Sequence, residues 1–167
     1  MTHALIHIKH VHIHLPRPKT AGMPTGIPLA AFASAFTQGQ RPATKAPAIC
    51  KPWPGVDGIY VGISAGEEGA PDEHLVLLNA RPSTALTHAA GTEWASDQME
   101  GAHMPTRFEG ALIYAHARAH VDTSKAHWLS TLYGDSCAWF QHFGYGNQLD
   151  DYLSAERAVR AVCRFPL

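Results

Sequence analysis

Charge of one sign is what this sequence has least of. Lys and Arg number 13 against 14 Asp and Glu, a formal net charge of -1. That leaves no electrostatic footprint for nucleic acid and no basic tail for an anionic membrane. No apolar run approaches the ~18 residues that span a bilayer, and the first residues lack the charged and continuously apolar regions of a signal peptide. The expected product is soluble where it is made, with no membrane insertion. Cysteine is scarce as well. Cys50, Cys137 and Cys163 are an odd number at wide spacings, which suits neither a disulfide framework nor a zinc site, so buried free thiols in a reducing compartment are expected. His-Glu-x-x-His, a Walker loop and a dinucleotide fingerprint are also absent, so the catalytic classes those three motifs mark are not indicated.

What is present falls into three zones. The length of 167 residues suits one domain of about 100–200 residues with appendages. Residues 1–16 contain "IHIKHVHIHLP". Read as a strand, they put Ile6, Ile8, His10, His12 and His14 on one face and His7, Lys9, Val11, Ile13 and Leu15 on the other. The apolar face switches near Lys9 and His10, which implies a bulge or a change of neighbours. A helical reading would align His3, His7, His10 and His14, but the β-branched content and Pro16 favour the strand. Residues 17–54 carry most of the prolines and predict an arm without long regular elements, apart from a short helix over Leu29 to Phe36 with Phe32 and Phe36 on one stripe. So apolar a segment reads as an arm lying on a partner or a sister chain, with Ile6, Ile8, Val11, Ile13, Phe32 and Phe36 as the assembly residues.

From Gly55 the texture changes to a domain, residues 55–167. "DGIYVGIS" and "EHLVLLNA" predict a hairpin across the turn signals "GEEGAPD". Leu86, Ala90 and Trp94 predict the stripe of a helix opened by Ser83 or Thr84. Thr106 followed by Glu109 is a capping box, and Phe108, Ala111, Leu112 and Ala115 are the expected buried stripe of the helix it opens. "HWLST" and "CAWFQHFG" read as short strands and "YGNQ" as a turn. "RAVRAVCRF" reads as a last strand with Val159, Ala161, Cys163 and Phe165 on one face.

Those words carry a resemblance. "GIYVGI" with "EHLVLLNA", "ALTHAAGTEWA", "MPTRFEGALI", "HWLSTLYGDSCAWFQHFGYGNQ" and "RAVRAV" resemble the phage and bacterial domain of unknown function that has a C-type-lectin-like fold, related to the formylglycine-generating-enzyme group. The match covers residues 55–167. It implies an α+β domain of two helices and short antiparallel strands, in which the first and last strands pair. Ile59, Val61 and Ile63 would then lie beside Val159, Ala161 and Cys163. It also implies that Trp128 and Trp139 are core, that Arg107 and Glu109 hold the helix entry, and that the late strands and loops form the exposed surface.

An enzyme of that group needs a close cysteine pair, and Cys137 and Cys163 are too far apart in sequence to match it. The calcium-binding triplets of lectins with this fold are missing too. Adjacent Asp150 and Asp151 read as a solvated loop, because a calcium site takes about six to eight oxygens from several positions. His116 and His120, at i,i+4, lack a third ligand and read as exposed residues near a helix C-terminus.

Recognition is the function left. "LYGDSCAWFQHFGYGNQLDDYL" is dense in aromatic and small polar residues of the kind recognition loops use, with Tyr133, Asp135, His142, Tyr145, Asn147 and Tyr152 as the expected ligand-binding surface. "HVHIH" resembles the His-x-His element of trimeric phage spikes, which makes His10, His12 and His14 candidate metal ligands; the other reading is an assembly strand, acid-sensitive near the histidine pKa. No other cofactor is expected, and no catalysis. The sequence therefore predicts a virion protein of tail-fibre or tail-tip type. Residues 1–54 would hold other virion proteins or sister chains, a trimer being the expected assembly, and the domain would meet a host-surface glycan or protein. A decoration protein without a receptor role and a formylglycine-generating-type enzyme relative are the alternatives.

Overall fold

Strand β2 (Glu73–Leu78) lies at the centre of a sheet whose two faces are both buried. That is why "LVLL" is continuously apolar and does not alternate. In the computed structural model of the chain, residues 45–66 and 69–167 are described. The histidine strand, the Leu29–Phe36 helix, the assembly residues Ile6, Ile8, Val11, Ile13, Phe32 and Phe36, and the metal candidates His10, His12 and His14 lie outside the described residues. The elements are β1 (Gly58–Ser64), β2, α1 (His88–Ser96), α2 (Arg107–Ala117), β3 (Ala126–Tyr133), β4 (Cys137–His142), β5 (Asn147–Tyr152) and β6 (Val162–Pro166). They form a mixed α+β domain with two antiparallel three-stranded sheets, ordered β1-β2-β6 and β3-β4-β5.

The first sheet corrects one expectation. The last strand pairs with β2, not with β1: Val76 faces Cys163 and Leu75 faces Arg164, while β1 occupies the other side of β2 with Ile59 opposite Leu77. Ile59, Val61 and Ile63 therefore never meet Val159, Ala161 and Cys163 as strand partners. The free side of β1 is taken by the segment just before it. Cys50 N–H donates to the Tyr60 carbonyl (2.8 Å), Tyr60 N–H to the Lys51 carbonyl (2.9 Å) and Trp53 N–H to the Gly58 carbonyl (3.0 Å). Trp53 is buried and stacks on Phe165 at 5.3 Å. The domain thus begins upstream of Gly55, and the end of the proline-rich zone belongs to its core.

Tyr60, Val76, Leu78 and Cys163 pack with Trp53, Trp128, Phe140 and Ala95 of α1 on one side of the sheet. Ile59, Val61, Leu75, Leu77 and Val162 pack with Ile113 and Ala117 of α2 and with Phe143 on the other. Burial of each such aliphatic side chain contributes roughly 1.5–3 kcal/mol. Of the three thiols, only Cys163 is buried; Cys50 and Cys137 are half-buried, so the expectation of three buried cysteines holds for one.

Both helices are shifted from the expected stripes. The cap of α1 is Thr87, whose hydroxyl accepts from Ala90 N–H, so Ser83 and Thr84 lie before the helix. The inward face is His88, Gly91 and Ala95, and His88 Nε2 donates to the Leu129 carbonyl at 3.0 Å. In α2 the capping box of Thr106 and Glu109 forms as read. Because Glu109 itself points inward, the buried face runs Glu109, Gly110, Ile113, Ala117, and Phe108 is left 76% exposed. Phe108→Ser should accordingly change stability by no more than about 0.5 kcal/mol, whereas Ile113→Ala should cost about 2–5 kcal/mol. Urea denaturation of the two variants checks this, and an equal cost would return Phe108 to the core.

Candidate functional site

The turn Phe143–Gly146 ends β4 and starts β5, so "NQLDDY" is a strand and Asp150 and Asp151 are not in a loop. Pairing with β4 supplies the hydrogen bonds that its polar composition does not predict. Asp151 pairs with Arg157. The hydrogen bond from Tyr152 N–H and then Arg157 hold the Asp151 carboxyl below its ordinary range. Arg157 in turn lies over the Phe140 ring at 4.0 Å.

The register divides the expected ligand surface in two. Tyr133, Cys137 and Tyr152 form a row across one end of the sheet, and Ala126, His142 and Asn147 form a row across the other. At ~3.3 Å per residue along β4, Tyr133, Asp135 and Tyr152 are about 16 Å from His142, Tyr145 and Asn147. One site of all six residues is therefore not formed. At the second end the His142 and Tyr145 rings lie 4.3 Å apart, and His142 Nδ1 accepts from Gly144 N–H at 3.2 Å.

The first end is the richer one, and two of its members were assigned elsewhere by the sequence. Trp139, expected in the core, is half-buried on the face that also carries Cys137 and Tyr152. Arg107, expected to hold the helix entry, lays its guanidinium over the Trp139 ring at 3.6 Å. Tyr133 meets the same ring edge-on at 5.4 Å. Arg107 is held in place from below: its Nε donates to Gln148 Oε1 (2.9 Å), while Gln148 Nε2 donates to the Arg107 carbonyl (2.8 Å) and to Gln141 Oε1 (2.9 Å). A cation over an aromatic face contributes about 0.5–2 kcal/mol. The only local signal for this pair was a tryptophan at an odd position of β4, the parity of Cys137, on the face away from Ala138 and Phe140.

The result is a platform of Tyr133, Trp139, Arg107 and Tyr152, with Asp135 in the adjoining turn. Tyr133 is 56% and Tyr152 67% exposed. Large rigid rings beside a fixed guanidinium and a carboxylate suit the apolar face and hydroxyl rim of a saccharide, or a protein side chain, at little entropic cost.

Other ionisable groups are engaged by the fold itself. Glu109 is fully buried and accepts from Thr106 N–H (2.7 Å), Arg164 Nε (2.8 Å) and His103 Nε2 (3.2 Å). Burial pushes the Glu109 carboxyl up, but the bonds from His103, Thr106 and Arg164 outweigh it and leave the pKa below its ordinary value. Burial likewise pushes His103 down, and the hydrogen bond and charge of Glu109 outweigh it, so His103 is raised. Burial lifts the Cys163 thiol, the opposite of what a reactive thiolate needs. His116 Nδ1 donates to the Val61 carbonyl (2.8 Å), and the His120 carbonyl accepts from Arg81 and Arg160. Among the described residues no three His, Cys, Asp or Glu converge as metal ligands would. Among them, too, no helix is long and apolar enough to cross a membrane.

No protein-family model matches the chain, and no curated protein sequence matches it.

Proposed function

We propose that this chain is a non-enzymatic structural protein of a phage or prophage virion. The residues before Cys50 attach it to other virion proteins or to sister chains, since Cys50 to Trp53 already belong to the domain, and the C-type-lectin-like domain presents the end of its β3-β4-β5 sheet to the host surface. The observation that carries the recognition role is the exposed platform of Tyr133, Trp139, Arg107 and Tyr152. The motif resemblance supports the virion setting. Binding is favoured over catalysis because the ionic group of buried Glu109 with His103 and Arg164 is spent on joining α2 to β6.

Deletion of the gene from the phage that encodes it tests the reading. Particles should still form and adsorb poorly, and the pair Tyr133→Ala and Tyr152→Ala in the full chain should lower adsorption about tenfold or more while particle yield is unchanged. Normal adsorption of the deletion would sink the receptor role; failure of particles to form would make the chain a scaffold element. Light scattering of the full chain, with and without chelator, reads the assembly: a trimer that persists in chelator assigns cohesion to the apolar assembly residues, and one that dissociates assigns it to metal at His10, His12 and His14.

A further inference from the structure

Away from the platform lies a cavity of about 230 Å³, walled by residues 81–85, the Asp122–Lys125 turn and Ala158–Arg160, with His127 of β3 in its lining. Arg160 is 3% exposed, yet among the described residues no carboxylate pairs with it. Its guanidinium has five N–H donors. Nη1 donates to the His120 carbonyl (2.7 Å) and Nη2 to the Leu78 carbonyl (2.5 Å), and buried Nε has no partner.

A second guanidinium stands beside it. Arg81 Nη2 donates to the same His120 carbonyl at 2.9 Å, so two like charges share one acceptor. Lys125 adds a third cation at the rim, 3.3 Å from Asp122, the one carboxylate in the lining. Burial and then the charge of Arg160 push His127 down to about 4, so it is neutral at pH 7. Arg81, Lys125 and Arg160 against Asp122 leave the lining with two uncompensated positive charges. Two backbone carbonyls would be served equally well by a neutral donor. The clustering of cations is unfavourable in the chain alone and favourable only toward an anion.

We propose that this cavity binds a phosphate or sulfate group, free or carried on a larger molecule such as a saccharide, between Arg160 at its base and Arg81 and Lys125 at its rim. A dianion balances the two charges, which a carboxylate does not, and the hydroxyls of Ser83 and Thr84 in the lining are suited to its remaining oxygens. The site is independent of the recognition platform and of the virion reading.

The test is a titration of the full chain with inorganic phosphate and with sulfate against sodium chloride at equal ionic strength, followed by NMR at the His127 imidazole. Arg81 and Lys125 are exposed, so Arg81→Gln and Lys125→Gln keep the fold. Saturable binding that raises the His127 pKa and weakens about tenfold in either variant is the expected result. A response matched by chloride, or unchanged in both variants, would overturn the proposal. Glucose 6-phosphate and glucose 6-sulfate distinguish the sources: binding tighter than the inorganic ion assigns a saccharide-borne group, and equal binding assigns the free ion.

Discussion

Glu109→Ala should lower the unfolding free energy by about 3–5 kcal/mol, the cost of breaking a buried ion pair by removing one partner. The carboxylate serves three elements at once: it closes the capping box on Thr106, receives Arg164 from β6, and receives His103 from the loop that bridges to Val162. Its loss leaves the Arg164 guanidinium, 22% exposed, without its nearest carboxylate, since Glu73 is at 3.9 Å. Glu109→Gln retains an acceptor for the Thr106 N–H and should cost less. Urea denaturation of both variants checks the order. A loss below about 1 kcal/mol in Glu109→Ala would show that the network is relaxed by water.

The second large effect is acid destabilisation through His127. Its ordinary pKa of 6.5 falls to about 4 in the fold, because burial and then the neighbouring Arg160 disfavour the imidazolium. A depressed folded pKa means that the unfolded chain binds the proton first. Stability is therefore full above pH 6.5 and is lost as pH falls toward 4, by about 3 kcal/mol over that window. His103 has the opposite sign. Its raised pKa contributes stability that is fully present below 6.5 and lost as pH rises through the folded value. Glu109, with a depressed pKa, contributes above its ordinary 4.5 and loses that contribution only as pH falls through its lower folded value. Between pH 6.5 and 4.5 the falling limb thus belongs to His127. His127→Asn keeps a donor for the Lys125 carbonyl, which His127 Nδ1 contacts at 3.2 Å, and should flatten that limb. Urea midpoints at pH 7 and 4.5 decide it; an unchanged slope in the variant would place the acid sensitivity elsewhere.

The first effect involves a residue of which the sequence showed only one role. The capping box was legible because it is local: Thr106 and Glu109 are three residues apart, and helix geometry alone brings oxygen to N–H. That the same carboxylate reaches Arg164 was not, since 55 residues separate them. The shifted stripe of α2 follows from this, as an inward Glu109 turns Phe108 out. Likewise the resemblance implied a core place for Trp139, and only its register opposite Asp150 and its contact with Arg107 put it on the outer face. The six expected ligand residues are close along the chain, yet β4 holds them apart.

By itself the sequence determined what depends on neighbours within a few residues: the hairpin of β1 and β2, the α2 cap, the β3 and β4 strands, and an α+β composition. Tertiary structure decided which strand β6 joins, that "NQLDDY" is a strand, that Trp53 closes the core, and that Arg81, Lys125 and Arg160 share a cavity. The physical reason is the range of the forces. Capping and periodicity act within one or two turns, whereas strand pairing and charge clustering reward contacts between distant segments and take shape only after the chain has closed the loops between them.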